Sequence, residues 1–573
     1  MLDQFNSTFL RYFDDGIVGD AAAPAAPGGT VLFTSVLAIT LSLYALLYHL
    51  QKQPSHPDEP PIIPSTIPFI GHLLGMAVEG GRYIKNIGLR NRDKPIFTLP
   101  VLKSRIYIVT DPSLAAAVQR ASKALSFTPL IPDITKRVLG LDTATVDIVR
   151  QHLDPEPGER RGFLADMHDM VYSYLGPGEA LNELSLGAAQ ELAAQVNAYV
   201  TKHSTPETVS LLHWVRHFVT IGTAEFLYGP ENPISKDQRL EEAFWDFDHG
   251  LGSLLMNILP SVTARKPYYG REALAAALTK YLEQEKHKSS ASKIVKNRVE
   301  IALRHGWTLQ AASRSEVSFL FAGIVNTATT TFWVVLQIFA RERLLEAVRR
   351  ELLEAVTVKG SDSVRVLSLE RVKNGSCPAL TAVFRECLRV GSDNYSTRLV
   401  KTDTVLAGKW FLQKDSVVQI AGGVMHADPR IWGQDANEFN ERRFLKTETN
   451  GNGNGISMKS TSTNSSTSSL NSSNGTIGGN NVSGVHPAAF RAFGGGKTLC
   501  PGRHFATNEI LAFVAMIVLT FDLEPAESGK QRGGEKIRAP AKEDGVLPVH
   551  ILEPKEDVMV RVVVRDGRRI EVV

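Results

Sequence analysis

The sequence predicts a mainly α-helical protein with a small β subdomain, behind one membrane-spanning helix. Three observations carry this expectation. Apolar residues recur at helical spacing over residues 181–199, 271–286 and 317–340. β-forming residues cluster at 97–99 and 105–110 on either side of a short turn, which predicts a hairpin in a small sheet. Residues 31–50 carry no formal charge and are enough to cross a bilayer as a helix.

Length and composition narrow the field. A chain of 573 residues exceeds one typical core, and on length alone implies two or three domains. Net charge is only +3 with Lys and Arg scattered, so there is no electrostatic case for a nucleic-acid partner. The three cysteines, Cys377, Cys387 and Cys500, have no paired spacing of the zinc or disulfide kind. That suits a reducing compartment, and Cys387, inside a helical pattern, reads as an inert core thiol.

In chain order, residues 1–30 form an Ala-, Pro- and Gly-rich tail, and 31–50 the anchor. Asp14, Asp15 and Asp20 precede the anchor and Lys52 follows it. The positive-inside tendency then places everything after Gln51 in the cytosol. Residues 51–68 are rich in proline, with fixed backbone angles and few free amides, and read as a stiff hinge. Residues 447–484 collapse to Ser, Asn, Gly and Thr, which cannot offset their own ordering entropy, so a disordered insertion is expected there.

The chemistry gathers at Ala492-Phe493-Gly494-Gly495-Gly496-Lys497-Thr498-Leu499-Cys500-Pro501-Gly502-Arg503. Glycines let a loop wrap closely round one sulfur, and a lone thiolate so presented suits one iron atom. The spacing Phe-x-x-Gly-x-x-x-Cys-x-Gly resembles the haem-ligand loop of the cytochrome P450 family. The resemblance implies the P450 fold, with residues 69–446 and 485–573 as one catalytic domain. It also implies haem b with Cys500 as its axial thiolate and metal ligand, held by a loop that includes Phe493, Gly494, Gly496 and Gly502. The basic residue this family often has two places before the cysteine is replaced by Thr498, and no Trp-x-x-x-Arg occurs between Ser126 and Asn197.

Three further stretches carry the same resemblance. Glu386 and Arg389 stand three apart on one helical face, and Arg443 supplies the third member of an expected buried network round the haem. Arg398 is expected to reach a haem propionate. In Phe321-Ala322-Gly323-Ile324-Val325-Asn326-Thr327, small residues are expected over the haem face. Asn326, Thr327 and Thr330 are expected where oxygen binds. Thr327 and Asn326 are the catalytic candidates beside Cys500, although most monooxygenases of the family have an acid where Asn326 stands. Asn-Thr followed by Phe-Trp, with Cys-Pro-Gly-Arg, resembles the branch holding the sterol 7α-hydroxylases and prostacyclin synthase.

The resemblance thus implies a monooxygenase acting on a lipophilic sterol, terpenoid or polyketide, as in secondary metabolism. It would be a single-pass protein of the endoplasmic reticulum membrane, facing the cytosol, using O2 and electrons from NADPH-cytochrome P450 reductase, with cytochrome b5 as a further donor. Two alternatives stand: a redox-neutral isomerase or dehydratase acting on a peroxide, and a haem- or sterol-binding protein without catalysis.

Overall fold

The computed structural model describes residues 27–573 apart from 103, 157, 204, 361–363, 446–481, 483 and 527–536. The N-terminal tail and nearly all of the 447–484 insertion lie outside the described residues.

Helix α1 (Pro27–Gln51) is long and apolar enough to cross a membrane, and none of its window from Phe33 is buried. Two other helices pass the same test of length and hydropathy, but 72% of each window is buried inside the protein, so they are core helices. The proline-rich segment differs from the expected free spacer because it is fastened to the sheet. Thr98 donates its N–H to Pro61 O at 2.9 Å and Ile63 donates to Thr98 O at 2.9 Å. Gln51 is fully buried, its amide donating to Ser65 O at 2.9 Å. Helix α2 (Gly71–Glu79) follows.

The hairpin is β1 (Ile96–Val101) and β2 (Ser104–Val109), antiparallel with Ile96 opposite Val109. It is half of a five-stranded sheet completed by β3 (Leu125–Ser126), β4 (Tyr395–Val400) and β5 (Val417–Ala421), in the order β1-β2-β5-β4-β3. The β5–β2 pair is parallel and the β5–β4 pair antiparallel, with Arg398 opposite Val418. Burial of apolar side chains from both faces of β1 explains why its sequence shows a cluster rather than strict alternation.

The helical part contains α3 (Phe163–Leu175), α4 (Glu179–Lys202), α5 (Leu211–Tyr228), α6 (Gln238–His249) and α7 (Arg265–Glu283). It continues with α8 (Leu309–Phe339), α9 (Pro378–Gly391) and α10 (Arg503–Thr520). Helix α8 runs through the middle, packed on α5, α7, α9 and α10. It starts eight residues before the apolar pattern from Val317, at a Thr308 cap whose Oγ1 accepts from Ala311 N–H at 3.1 Å. Charges hid that start: Arg314 pairs with Glu272 at 2.5 Å and Glu316 with Arg298 at 2.9 Å, so polar residues here face neighbouring helices.

Candidate active site

Three elements bring the candidate residues together: the loop before α10, the middle of α8, and the edge between α9 and β4. In the loop, Cys500 N–H donates to Phe493 O at 2.9 Å, which closes the turn behind the sulfur. Cys500 is half-buried. Burial pushes its thiol up while the N–H groups of Gly502 and Arg503 pull it down. Gly494 (φ +75°) and Gly496 (φ +62°) hold left-handed backbone that side-chain-bearing residues avoid. Gly502 does not, at φ −79°; a Cβ there would stand 3.9 Å from the sulfur, so its contribution is an N–H close to the sulfur rather than an unusual backbone angle. Tyr172 on α3 donates its hydroxyl to Leu499 O at 2.7 Å, tying this helix to the loop.

Under the loop, Glu386 accepts from Arg389 Nη2 at 2.7 Å and Nε at 2.8 Å, and from Arg443 Nε at 3.0 Å. Arg389 also donates to His426 O and Ala436 O, each at 2.6 Å. Glu386, Arg389 and Arg443 therefore meet as one buried network. Asn440 N–H fills a further acceptor position on Glu386 at 3.0 Å.

Arg398 lies on β4, buried, and donates to Thr498 Oγ1 at 2.5 Å and Gly495 O at 3.3 Å. The sequence reading missed its neighbour Arg491. That side chain is 1% exposed, donates to Ser396 Oγ at 3.0 Å, and leaves its Nε without any hydrogen-bond partner. Burial pulls Arg398 down to about 10, and burial together with Arg398 pulls Arg491 to about 10. Neither has an ion-pair partner among the described residues. Two adjacent buried cations without a counter-charge are costly, and a ligand carrying two carboxylates relieves both. With a sulfur presented beside them, the donor set fits an iron porphyrin: Cys500 for the metal, Arg398 and Arg491 for the propionates. The signal in the sequence was one charge inside the apolar run 487–493.

On helix α8 the expected polar residues differ in burial. Phe319, Ala322, Gly323 and Asn326, at helical spacing, are the less buried residues of the middle turns, with Ala322 exposed, while Thr327 and Thr330 are 3% and 1% exposed. Thr327 is buried beside the Glu509 carboxyl on α10, which it draws down against the effect of burial. One residue is a 100° rotation on a helix, so Asn326 and Thr327 are turned away from one another in part. Gly323 serves helix packing, since a Cβ there would touch Thr223 of α5 at 3.4 Å. The Asn326 side-chain oxygen accepts from Ile551 N–H at 2.9 Å. Because a backbone N–H fixes which end is oxygen, the amide NH2 is left for the open side.

Glu509 is also missing from the sequence reading. It is 1% exposed, accepts from Thr223 Oγ1 at 3.3 Å, and is pushed by burial from 4.5 to about 8, so it holds a proton at neutral pH.

Comparison with known proteins agrees with this geometry. A sequence model of the family described as Cytochrome P450 matches residues 60–537. The chain is 31% identical over 499 residues to Cytochrome P450 monooxygenase nodJ of Hypoxylon pulicicidum, covering 86% of this chain and 88% of that protein. It is 23% identical to Cytochrome P450 7A1 of Sus scrofa, covering 92% and 97%. Among solved structures, retinoic acid bound cyanobacterial CYP120A1 superposes with a TM-score of 0.63 at 18% identity, covering 88% of this chain and 99% of that one. The matched residues run through the Glu386 network, α8 and the Cys500 loop alike, and the chain belongs to the cytochrome P450 family of haem-thiolate oxidoreductases.

Proposed function

We propose that the protein is a haem b-dependent monooxygenase that oxidises a lipophilic sterol, terpenoid or polyketide, using O2 and electrons delivered from NADPH by a cytochrome P450 reductase, with cytochrome b5 as a further donor. The observation that carries the reading is the half-buried Cys500 thiol in a loop whose N–H groups partly offset the rise that burial imposes on it, beside two uncompensated buried arginines. When bound, the haem supplies activation of dioxygen and insertion of one oxygen atom into a C–H bond.

The protein's own residues do the rest. Gly502 and Arg503 N–H groups temper the charge on the sulfur. Arg398 and Arg491 hold the propionates, replacing the basic residue absent at Thr498. Ala322 leaves room on the open side of α8, and the Asn326 NH2 presents a donor there for a substrate hydroxyl or a water. Behind it, Thr223, Glu509 and Thr327 hold a proton that Glu509 retains up to about pH 8.

The similarity to P450 7A1, of the sterol 7α-hydroxylase branch, supports a lipid-like substrate class. A membrane position on the cytosolic face of the endoplasmic reticulum, with α1 as a single-pass anchor, accords with exposed apolar residues on one side. These are Ile70, Leu74 and Val78 near α2, and Leu259, Val262 and Leu547, the last beside Gly252. We assign residues 31–50 to the anchor, 51–68 to its connection, 69–446 with 485–573 to the catalytic domain, and 447–484 to an insertion.

A second reading, a redox-neutral isomerase acting on a peroxide, draws on Asn326, since an amide brings no ionisable proton to the open side. Turnover of a lipophilic library with and without NADPH and reductase separates the two: the monooxygenase requires both. Product from a peroxide substrate without reductase overturns the first reading. Cys500→Ala is expected to abolish the red-shifted carbonyl band of the reduced protein, and survival of that band overturns the ligand assignment.

A further inference from the structure

Away from the cysteine loop, the C-terminal end of α6 meets the segment 547–553 in a cluster of ionisable groups that the oxidation chemistry does not use. Asp248, His550 and Glu553 each point one ligand atom into a common space, all within 4.8 Å of one another. Asp248 is 2% exposed, and neither of its carboxylate oxygens accepts a hydrogen bond. A buried carboxylate without donors is rare, because desolvating it costs several kcal/mol. Burial accordingly pushes the Asp248 carboxyl above its ordinary value.

His550 gives the second, independent sign. Its Nδ1 lies 2.9 Å from Ile551 O, and since a carbonyl only accepts, Nδ1 carries the proton. Nε2 then faces Asp248 Oδ1 at 3.6 Å, too long for an N–H···O hydrogen bond. In the neutral ring this sets a lone pair against a carboxylate oxygen. Something positive belongs between them. Two donors bound at about 2.1 Å to a tetrahedral zinc stand about 3.4 Å apart, close to the observed separation. A backbone carbonyl accepting the other ring N–H is also how metal-binding histidines are oriented.

From these contacts we propose that Asp248, His550 and Glu553 bind a divalent cation of the zinc class, with water in the fourth position. The surrounding groups set its charge. Arg216 ion-pairs with Glu553 Oε1, lies 3.4 Å from His249 Nε2 and covers the Trp245 ring at 4.1 Å, while His249 Nε2 stands 3.3 Å from Glu553 Oε2. Two carboxylates face one guanidinium and His249, whose pKa the Glu553 contact raises, so a cation competes there with Arg216 and with the His249 proton. The bond from Arg216 takes Oε1 and leaves Oε2, which His249 Nε2 approaches, as the second oxygen of Glu553. One donor comes from α6 and two from the segment 547–553, so the ion fastens this segment to the helix. That segment reaches the open side of α8 through Ile551 and Asn326.

The proposal stands whatever the haem pocket oxidises. Its test uses the full-length, haem-loaded protein stripped with EDTA and equilibrated against zinc chloride, with metal per chain measured by mass spectrometry and thermal midpoint recorded. One zinc per chain and a raised midpoint are expected, with affinity at least tenfold weaker in Asp248→Asn and in His550→Ala. Haem content serves as the check on folding, and Glu553→Gln is the substitute where Asp248→Asn yields no protein. Zinc uptake equal in all variants overturns the site. So does an absence of uptake combined with a rise in stability on acidification, which would mean that His550 pairs with Asp248 as an imidazolium instead.

Discussion

Two buried groups of arginines, built round Arg389 on α9 and Arg398 on β4, are solved in opposite ways. Arg389 and Arg443 share the Glu386 carboxylate and donate their remaining N–H groups to backbone carbonyls, so the cluster is complete within the protein. Arg398 and Arg491 face one another with a hydroxyl each, carbonyl oxygens for Arg398 alone, and no anion. The first group holds the fold together on its own. The second waits for a ligand, and its cost to the empty protein becomes selectivity for a dianionic cofactor.

The comparison breaks most visibly at Glu386. Glu386→Ala strands the buried Arg389 guanidinium and leaves Arg443 only Asp435, a loss of about 3–5 kcal/mol that is expected to eliminate folded protein whether or not haem is supplied. Recovery of normal yields of soluble, haem-loaded protein would put the two clusters on the same footing. Arg491→Met is expected to act with opposite signs in the two states, raising the thermal midpoint of the haem-free protein while speeding haem transfer to apomyoglobin. A variant that loses stability in both states removes the distinction.

Glu509 extends the contrast to a buried acid without a counter-charge. Its folded value of about 8 stands above its ordinary 4.5, so it stabilises the fold fully below pH 4.5, and that contribution declines as pH rises to 8. Glu509→Gln is expected to flatten the fall of stability across this window by up to about 1.4 kcal/mol per pH unit. An unchanged slope in thermal midpoint against pH would mean that Glu509 titrates as in the unfolded chain. The smallest effect separates neighbours on α8. Asn326→Ala, which cuts the tie to Ile551, is expected to change the product pattern, whereas Thr327→Val leaves it unaltered and weakens coupling of oxygen use to product only severalfold. Product analysis showing the reverse would return Thr327 to the open side.

Much of this was legible beforehand because local chemistry dictated it. Glycines at 494 and 496 stand where positive φ is needed, Glu386 and Arg389 share a helix face by spacing alone, and the hairpin shows its β-formers openly. What escaped notice depended on distant partners. Nothing near Arg491 in sequence announces Arg398, and Glu509 sits inside a run of apolar residues that conceals its meeting with Thr223 and Thr327. The phase of α8 was not legible, because a threonine-rich stretch offers hydroxyls on every side, and only the packing of α5 and α10 selects which of them is buried.

The stitching of Pro61 and Ile63 to Thr98, with Gln51 sunk against Ser65, bears on how the enzyme can be handled. Trimming the greasy leader for crystallisation should stop short of Gln51, for a cut at the first proline would strip away the Gln51–Ser65 clasp while the Pro61 and Ile63 stitches stay. An anchor at α1 would pass its own angle on to the body through this fastening.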